Sequence, residues 1–278
     1  MSAVPGQMSN LQLRIISAVI LAVLVLGFTW LGGFAFRLLA CILGALMLYE
    51  WFTMSRPVSG GKNQLLASAG FALLALALVL YFPAPYAFLV LGVGVAATIA
   101  DAALTKRSYW AAGGLAYAGL SAISLAFLRD SDHPGLIAIL FLFAVVWATD
   151  ILAYFVGRSV GGPKLAPSIS PGKTQSGAAG GAVGGVVAGV ILAAAAGLSG
   201  LGQLAVIALV LSILAQAGDL FESWVKRQHG VKDSSAIIPG HGGVMDRIDG
   251  LVAAAFALYI LGTLSGGANT PAHGLFAG

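Results

Sequence analysis

Long apolar runs separated by short polar interruptions dominate this chain. Nine runs are read, over residues 11–31, 34–53, 65–82, 86–100, 109–128, 135–156, 177–197, 201–226 and 247–265. Most approach the roughly 20 helical residues that span bilayer hydrocarbon. The breaks are Gly32-Gly33, the polar loop 55–63, Pro83-Ala84-Pro85, 101–108, 129–134, 157–176, 198–200 and a charged stretch before residue 247. Gly and Pro at such places are ordinary punctuation. The pattern predicts an all-α polytopic membrane protein of about nine transmembrane helices. In the seventh run Gly177, Gly181, Gly185 and Gly189 recur every fourth residue. They predict a smooth ridge along one helix, which lets a neighbouring backbone approach closely. No strong internal repeat is visible.

Composition sharpens this reading. The chain is 59% hydrophobic over 278 residues, against about 45–50% in soluble domains. A soluble enzyme is excluded. The net charge of +4 is small and follows from membrane topology, so no nucleic-acid partner is expected. Cys41 is the sole cysteine; no internal disulfide can form, and a small core residue is expected. Arg14 ahead of an apolar run resembles the start of a signal peptide, but no small-residue cleavage site follows Leu31. A retained first span is therefore expected.

Basic residues orient the spans. Arg14, Arg56, Lys62, Lys106, Arg107, Arg158, Lys164, Lys173, Lys226, Arg227, Lys232 and Arg247 fall on one side, and only Arg37 and Arg129 on the other. Twelve against two places the N-terminus and the charged stretch in the cytosol, within the cell (inner) membrane, and an odd number of spans places the C-terminus outside. Two parts are distinguished, N-terminal helices 1–108 and a C-terminal catalytic region 109–278, read as one integral unit.

Residues 223–249 concentrate ionisable groups in a chain that is 9% charged as a whole. On the eighth span Ser212, Gln216, Asp219, Ser223 and Lys226 recur at helical spacing on one face, rising about 21 Å toward the cytosol; Glu222 flanks them. A bland alternative is an Asp219–Lys226 ion pair. The ninth span opens with Asp246, Arg247 and Asp249, where a helix N-terminus favours negative charge and simple capping is the alternative. On the sixth span Asp150 lies two turns inside the boundary, with pairing to Arg158 as its alternative. Carboxylates inside a bilayer need partners or a purpose, at about 2.5–3.5 kcal/mol each on the insertion scale. These three segments predict a polar pocket in the cytosolic half of the membrane.

Clustered aspartates without cysteine suit a hard cation. Mg²⁺ takes one or two carboxylates and completes its shell with water and substrate phosphate. Lys226, Arg227, Lys232 and Arg247 then read as phosphate clamps. Ser234, Ser235, Gly240, Gly242 and Gly243 would let backbone N–H groups approach phosphates. The chemistry indicated is phosphoryl or nucleotidyl transfer. The segment 168–177, SISPGKTQSG, superficially resembles a Walker loop, but Pro167 stands where the motif needs Gly and no strand is expected ahead of it. Lys173 beside Ser170 and Thr174 is still placed to reach the pocket.

The charged stretch resembles the signature of the phosphatidate cytidylyltransferase family: Ser223, Lys226-Arg227, Lys232-Asp233, Pro239, His241-Gly242-Gly243, Asp246-Arg247 and Asp249. Gly218-Asp219-Leu220 and Asp150 with Ala153-Tyr154 extend the likeness through the C-terminal half. The family's Ser-Pro-Lys-Lys-Thr, aromatic, Glu, Gly segment departs here to Ser170-Pro171-Gly172-Lys173-Thr174-Gln175-Ser176-Gly177. The resemblance implies an enzyme of phospholipid biosynthesis that joins CTP and phosphatidic acid, a membrane lipid, into CDP-diacylglycerol and pyrophosphate. The expected roles are Mg²⁺, alone or with a second cation, on Asp219 and Asp246, with Asp249 as a further ligand or behind them. Asp219, Asp246, Lys226 and Arg247 would be catalytic. Ser223, Arg227, Lys232, Asp233, His241, Gly242, Gly243, Lys173, Ser170 and Asp150 would contact substrate. The resemblance also implies a homodimer. Two competing readings are an ion-coupled transporter and a CTP-dependent lipid-alcohol kinase. Against the transporter, the charges gather at one face of the membrane.

Overall fold

The structure, a computed structural model, describes residues 10–55 and 61–277. Arg56 of the topology count lies outside the described residues. Among the described residues nine long helices follow the nine predicted spans: α1 (Asn10–Leu31), α2 (Gly33–Ser55), α3 (Gly61–Val79), α4 (Ala84–Thr105), α5 (Trp110–Arg129), α6 (His133–Val160), α7 (Gln175–Ala195), α8 (Leu201–Gln228) and α9 (Met245–Gly266). Eight of them, α2 to α9, are long and apolar enough to cross a membrane, and α1 carries a shorter apolar run, Ile15–Leu31. This is a multi-pass membrane protein.

Three features differ from the expected boundaries. Helix α4 continues through Asp101, where the sequence pattern predicts a loop, because Asp101 finds partners there: Lys62 Nζ at 3.4 Å and Asn63 Nδ2 at 3.2 Å. A small antiparallel hairpin, β1 (Lys164–Ala166) with β2 (Ser170–Thr174), occupies the predicted loop between α6 and α7. A one-turn helix, α10 (His273–Phe276), follows α9. The architecture is all-α apart from the hairpin.

The glycine ridge of α7 lies on α6. A Cβ at Gly177 would stand 2.6 Å from the Ala153 carbonyl oxygen, and one at Gly181 would stand 2.7 Å from that of Thr149. At Gly189 it would meet Val145 Cγ2 at 2.9 Å and Ala208 Cβ at 3.0 Å. Small residues therefore set the backbone separation of this helix pair. Where α6 meets α8, Thr149 Oγ1 and Ser212 Oγ lie 2.7 Å apart, both fully buried. Gln216 Nε2 reaches the Ala178 carbonyl at 3.3 Å and ties α8 to α7. The upper part of the polar stripe thus fastens helices together.

The opposite end of the bundle uses its two cations structurally. Arg129 donates to the carbonyls of Thr29 (2.5 Å), Trp30 (3.1 Å), Asp132 (3.2 Å) and Asp130 (3.3 Å). Arg37 donates to the Leu78 carbonyl at 3.2 Å and lies 4.1 Å from the Tyr81 ring centroid. One cluster of buried apolar side chains runs from Phe36 on α2 to Phe276 on α10. Cys41 belongs to it.

Candidate active site

The charged end of the bundle is assembled from α8, the β-hairpin, the loop 229–244 and the first turn of α9, with α6 as a side wall. Helix α8 ends at His229, which stands edge-on to Trp110 with ring centroids 4.6 Å apart. Burial lowers the pKa of this histidine. The chain then turns at Gly230 and crosses back to α9 through a loop closed by Ile238 N–H donating to the Gly242 carbonyl (2.8 Å).

Two clusters of charge result. In the first, Lys173 at the end of β2 forms an ion pair with Asp219 of α8, and both are about one-third exposed. Ser223 Oγ donates to the other Asp219 oxygen at 3.4 Å. Asp150, Arg158, Lys164, Lys173, Gln216 and Asp219 line a cavity of about 630 Å³ between α6, α8 and the hairpin. A cavity of this size matches typical small-molecule sites.

The second cluster is buried. Lys226 Nζ lies 2.6 Å from Asp246 Oδ1 and 3.4 Å from Glu222 Oε2. Asp246 Oδ2 accepts from the Ser234 N–H (2.9 Å), Ser234 Oγ (2.9 Å) and the Gly243 N–H (2.8 Å). Glu222 is fully buried, and apart from the Lys226 ammonium beside Oε2 neither of its oxygens has a hydrogen-bond partner.

The expected residues are therefore brought to one end, but not in the expected pairs. Asp219 shares the cavity wall with Asp150, whereas both oxygens of Asp246 are engaged by Lys226, Ser234 and Gly243. Neither bland ion pair forms: Asp219 pairs with Lys173, not with Lys226, and Arg158 donates to Tyr154 Oη (3.3 Å), not to Asp150. Arg227 contacts the Ile169 and Val231 carbonyls at 3.5 and 3.1 Å, joining the end of α8 to the hairpin. His241 turns its ring to α1, with Nδ1 2.8 Å from Ser17 Oγ. Lys232, Asp233 and Arg247 are exposed, and Ser170 is half-buried at the start of β2. Gly242 has φ +83°, and a Cβ there would lie 2.9 Å from Asp246 Oδ2. Donors in the loop point at the protein's own carboxylates, which corrects the expectation that Ser234, Ser235 and Gly243 stand ready for phosphate.

Two residues of this end were missed. In the sequence Glu222 reads only as a flank of the α8 stripe. Glu50 of α2 carries the same signal that singles out Asp150, an acidic residue inside an apolar span.

Among the described residues no group of three or more Asp, Glu, His or Cys side chains stands ready to hold a metal ion. Mg²⁺ does not require one, since one or two carboxylates suffice when phosphate and water complete the shell. The donor set around Asp219 fits that requirement. Asp150 lines the same cavity, the charge of Asp249 is felt there, and Glu222 is buried one turn further along α8 with Lys226 as its cation. Facing carboxylates in a buried site need a shared proton or cation between them.

Residues 12–265 match the Cytidylyltransferase family. The chain belongs to that family. A phosphatidate cytidylyltransferase of Brucella suis biovar 1 (strain 1330) is 46% identical over 270 residues, covering 97% of this chain and all of the relative. A protein of the same name from Brucella abortus biovar 1 (strain 9-941) is 48% identical over 257 residues, covering 92% of this chain and 95% of its own length. Another from Bacillus subtilis (strain 168) is 33% identical over 271 residues, covering 91% and 98%. The family relationship spans all nine long helices, so the N-terminal half shares it along with the charged stretch.

Proposed function

We infer that this member of the family joins CTP and phosphatidic acid to give CDP-diacylglycerol and pyrophosphate. The observation that carries the reading is the 630 Å³ cavity in which Lys173, Arg158 and Lys164 stand with Asp219 and Asp150. Such a wall holds phosphate oxygens through its cations and a divalent ion through its carboxylates.

Asp219 and Asp249 would hold the Mg²⁺, with Glu222 and Asp150 as their anionic surroundings and Asp246 steering Lys226. When bound, the metal supplies charge neutralisation on phosphate oxygens. A phosphatidate phosphate is already an oxyanion at neutral pH, so no strong general base is required. One of its oxygens forms a bond to the α-phosphorus of CTP while the bond from that phosphorus to the β-bridging oxygen breaks, and pyrophosphate leaves. Lys173 is placed to hold phosphate oxygens during this exchange, with Arg158 and Lys164 on the same wall. Positioning and electrostatic stabilisation supply the catalysis.

The outer face of α6 beside the cavity is apolar, with Ile151, Phe155 and Val160 exposed. A two-tailed lipid would enter from that side while CTP arrives from water. The excess of basic residues at this end supports a cytosolic orientation in the inner membrane. A homodimer remains the assembly implied by the resemblance, and mass measurement in native nanodiscs tests it. Purified protein incubated with CTP, Mg²⁺ and either phosphatidic acid or a polyprenol tests the reaction. A diacyl nucleotide and pyrophosphate are expected; phosphorylated alcohol, or no product from either lipid, would overturn the reading.

A further inference from the structure

Glu50 lies in α2 with no exposed surface. It accepts four hydrogen bonds, all from a segment some 190 positions away. Ser235 Oγ donates at 2.7 Å, Ser234 Oγ at 3.0 Å, and the Val244 and Met245 N–H groups at 2.8 and 2.7 Å. The last two belong to the start of α9, where N–H groups have no acceptor in their own helix and the helix dipole favours an anion. All four partners are neutral donors, so the helix end and two hydroxyls accommodate the carboxylate in place of a cation.

The same loop holds Asp246. Ser234 Oγ stands 3.0 Å from Glu50 Oε2 and 2.9 Å from Asp246 Oδ2. It carries a single hydrogen, so the two carboxylates share one donor. Gly243 passes between them so closely that a Cβ would stand 2.7 Å from either Glu50 oxygen. A side chain there would displace the loop.

We propose that Glu50 is a positioning residue of the active site: an anion supplied by α2 that fixes the loop 229–244 and the first turn of α9, and thereby sets Asp246 against Lys226. This rests on the reaction assigned above. A corollary follows for substrate binding. The N-terminus of α9 is occupied by Glu50, so substrate phosphates are held by side-chain cations and not by that helix end.

The test uses the purified full-length protein carrying Glu50→Gln. The amide keeps the shape but removes the charge and turns a donor toward N–H groups. The readouts are kcat and KM for CTP, backbone hydrogen exchange, and the thermal midpoint. The expected result is a fall in kcat of about ten-fold or more with little change in KM. Faster exchange should be confined to residues 229–249, and Glu50→Asp should recover part of the rate. Wild-type kcat with unchanged exchange at Val244 and Met245 would overturn the proposal. So would loosening spread over the whole bundle with kcat per folded molecule intact. Should Glu50→Gln fail to fold, Ser235→Ala removes only one of the four donors. A fall in kcat of about three-fold or more is then expected, and an unchanged kcat would refute the idea. If the wild type forms no CDP-diacylglycerol, the reaction reading fails, while the exchange measurement still decides whether Glu50 holds the loop.

Discussion

Lys226 and Asp246, two residues before the end of α8 and the second residue of α9, meet at 2.6 Å, with Glu222 also within 3.4 Å of the ammonium. The Asp246 and Glu222 side chains are 4% and 0% exposed. Lys226→Met would leave both carboxylates buried without their cation, a loss of about 3–5 kcal/mol for a broken buried pair. A lower thermal midpoint in detergent is expected. Lys226→Met combined with Asp246→Asn should lose less than the sum of the single changes, because the second change removes the stranded charge. Additive losses would show that the two residues are not coupled.

The ion pair between Lys173 and Asp219 sits on the cavity wall, so its members should affect turnover more than folding. Asp219→Asn is expected to reduce CDP-diacylglycerol formation by about 100-fold or more while the thermal midpoint stays close to wild type. Asp246→Asn should also nearly abolish turnover, but with a loss of stability that Asp219→Asn lacks. Labelled CTP incorporation into lipid, beside a melting curve for each variant, checks both. Normal synthesis by Asp219→Asn would remove that residue from the site.

Close packing of α7 on α6 makes a contrast between two glycines informative. Gly189→Ala puts a methyl against Val145 and Ala208, at 2.9 and 3.0 Å. Overpacking of this kind is expected to destabilise by about 1–3 kcal/mol. Gly202→Ala meets nothing within 4 Å near the start of α8 and should be neutral or stabilising by up to about 1 kcal/mol. Thermal midpoints of the two variants should therefore move in opposite directions or differ clearly in size.

Orientation can be read with single cysteines in a Cys41→Ala background. Gly172 is exposed on the hairpin, and Ser131 is exposed between α5 and α6 at the other end. A membrane-impermeant maleimide added to intact cells should label Ser131→Cys and spare Gly172→Cys, with both labelled after lysis. The reverse pattern would invert the topology.

The helices were legible in advance because membrane hydrocarbon imposes a local rule: each span must satisfy its own backbone and present apolar side chains over about 20 residues. That rule acts on contiguous stretches, so runs of residues reveal it. Periodicity likewise made the α7 ridge and the α8 stripe readable, since both are properties of one helix. The signature in residues 223–249 was legible as a pattern of residue types, and the match over residues 12–265 agrees with it. The hairpin at 164–174 escaped notice because its strands are three and five residues long, too short for alternation to register.

Pairing was decided only when the helices came together. From sequence alone Asp246 had the same claim on a shared cation as Asp219, and the shared face of α8 favoured Lys226 as the partner of Asp219. Folding assigned Lys173 to Asp219 and Lys226 to Asp246. Glu50 shows the limit most clearly: its partners lie 184 to 195 positions away, and no periodicity within α2 points to them. Local composition determines which segments enter the bilayer and which residue types chemistry can draw on. Which charge meets which is a property of distances between helices, and those are set by packing across the whole bundle.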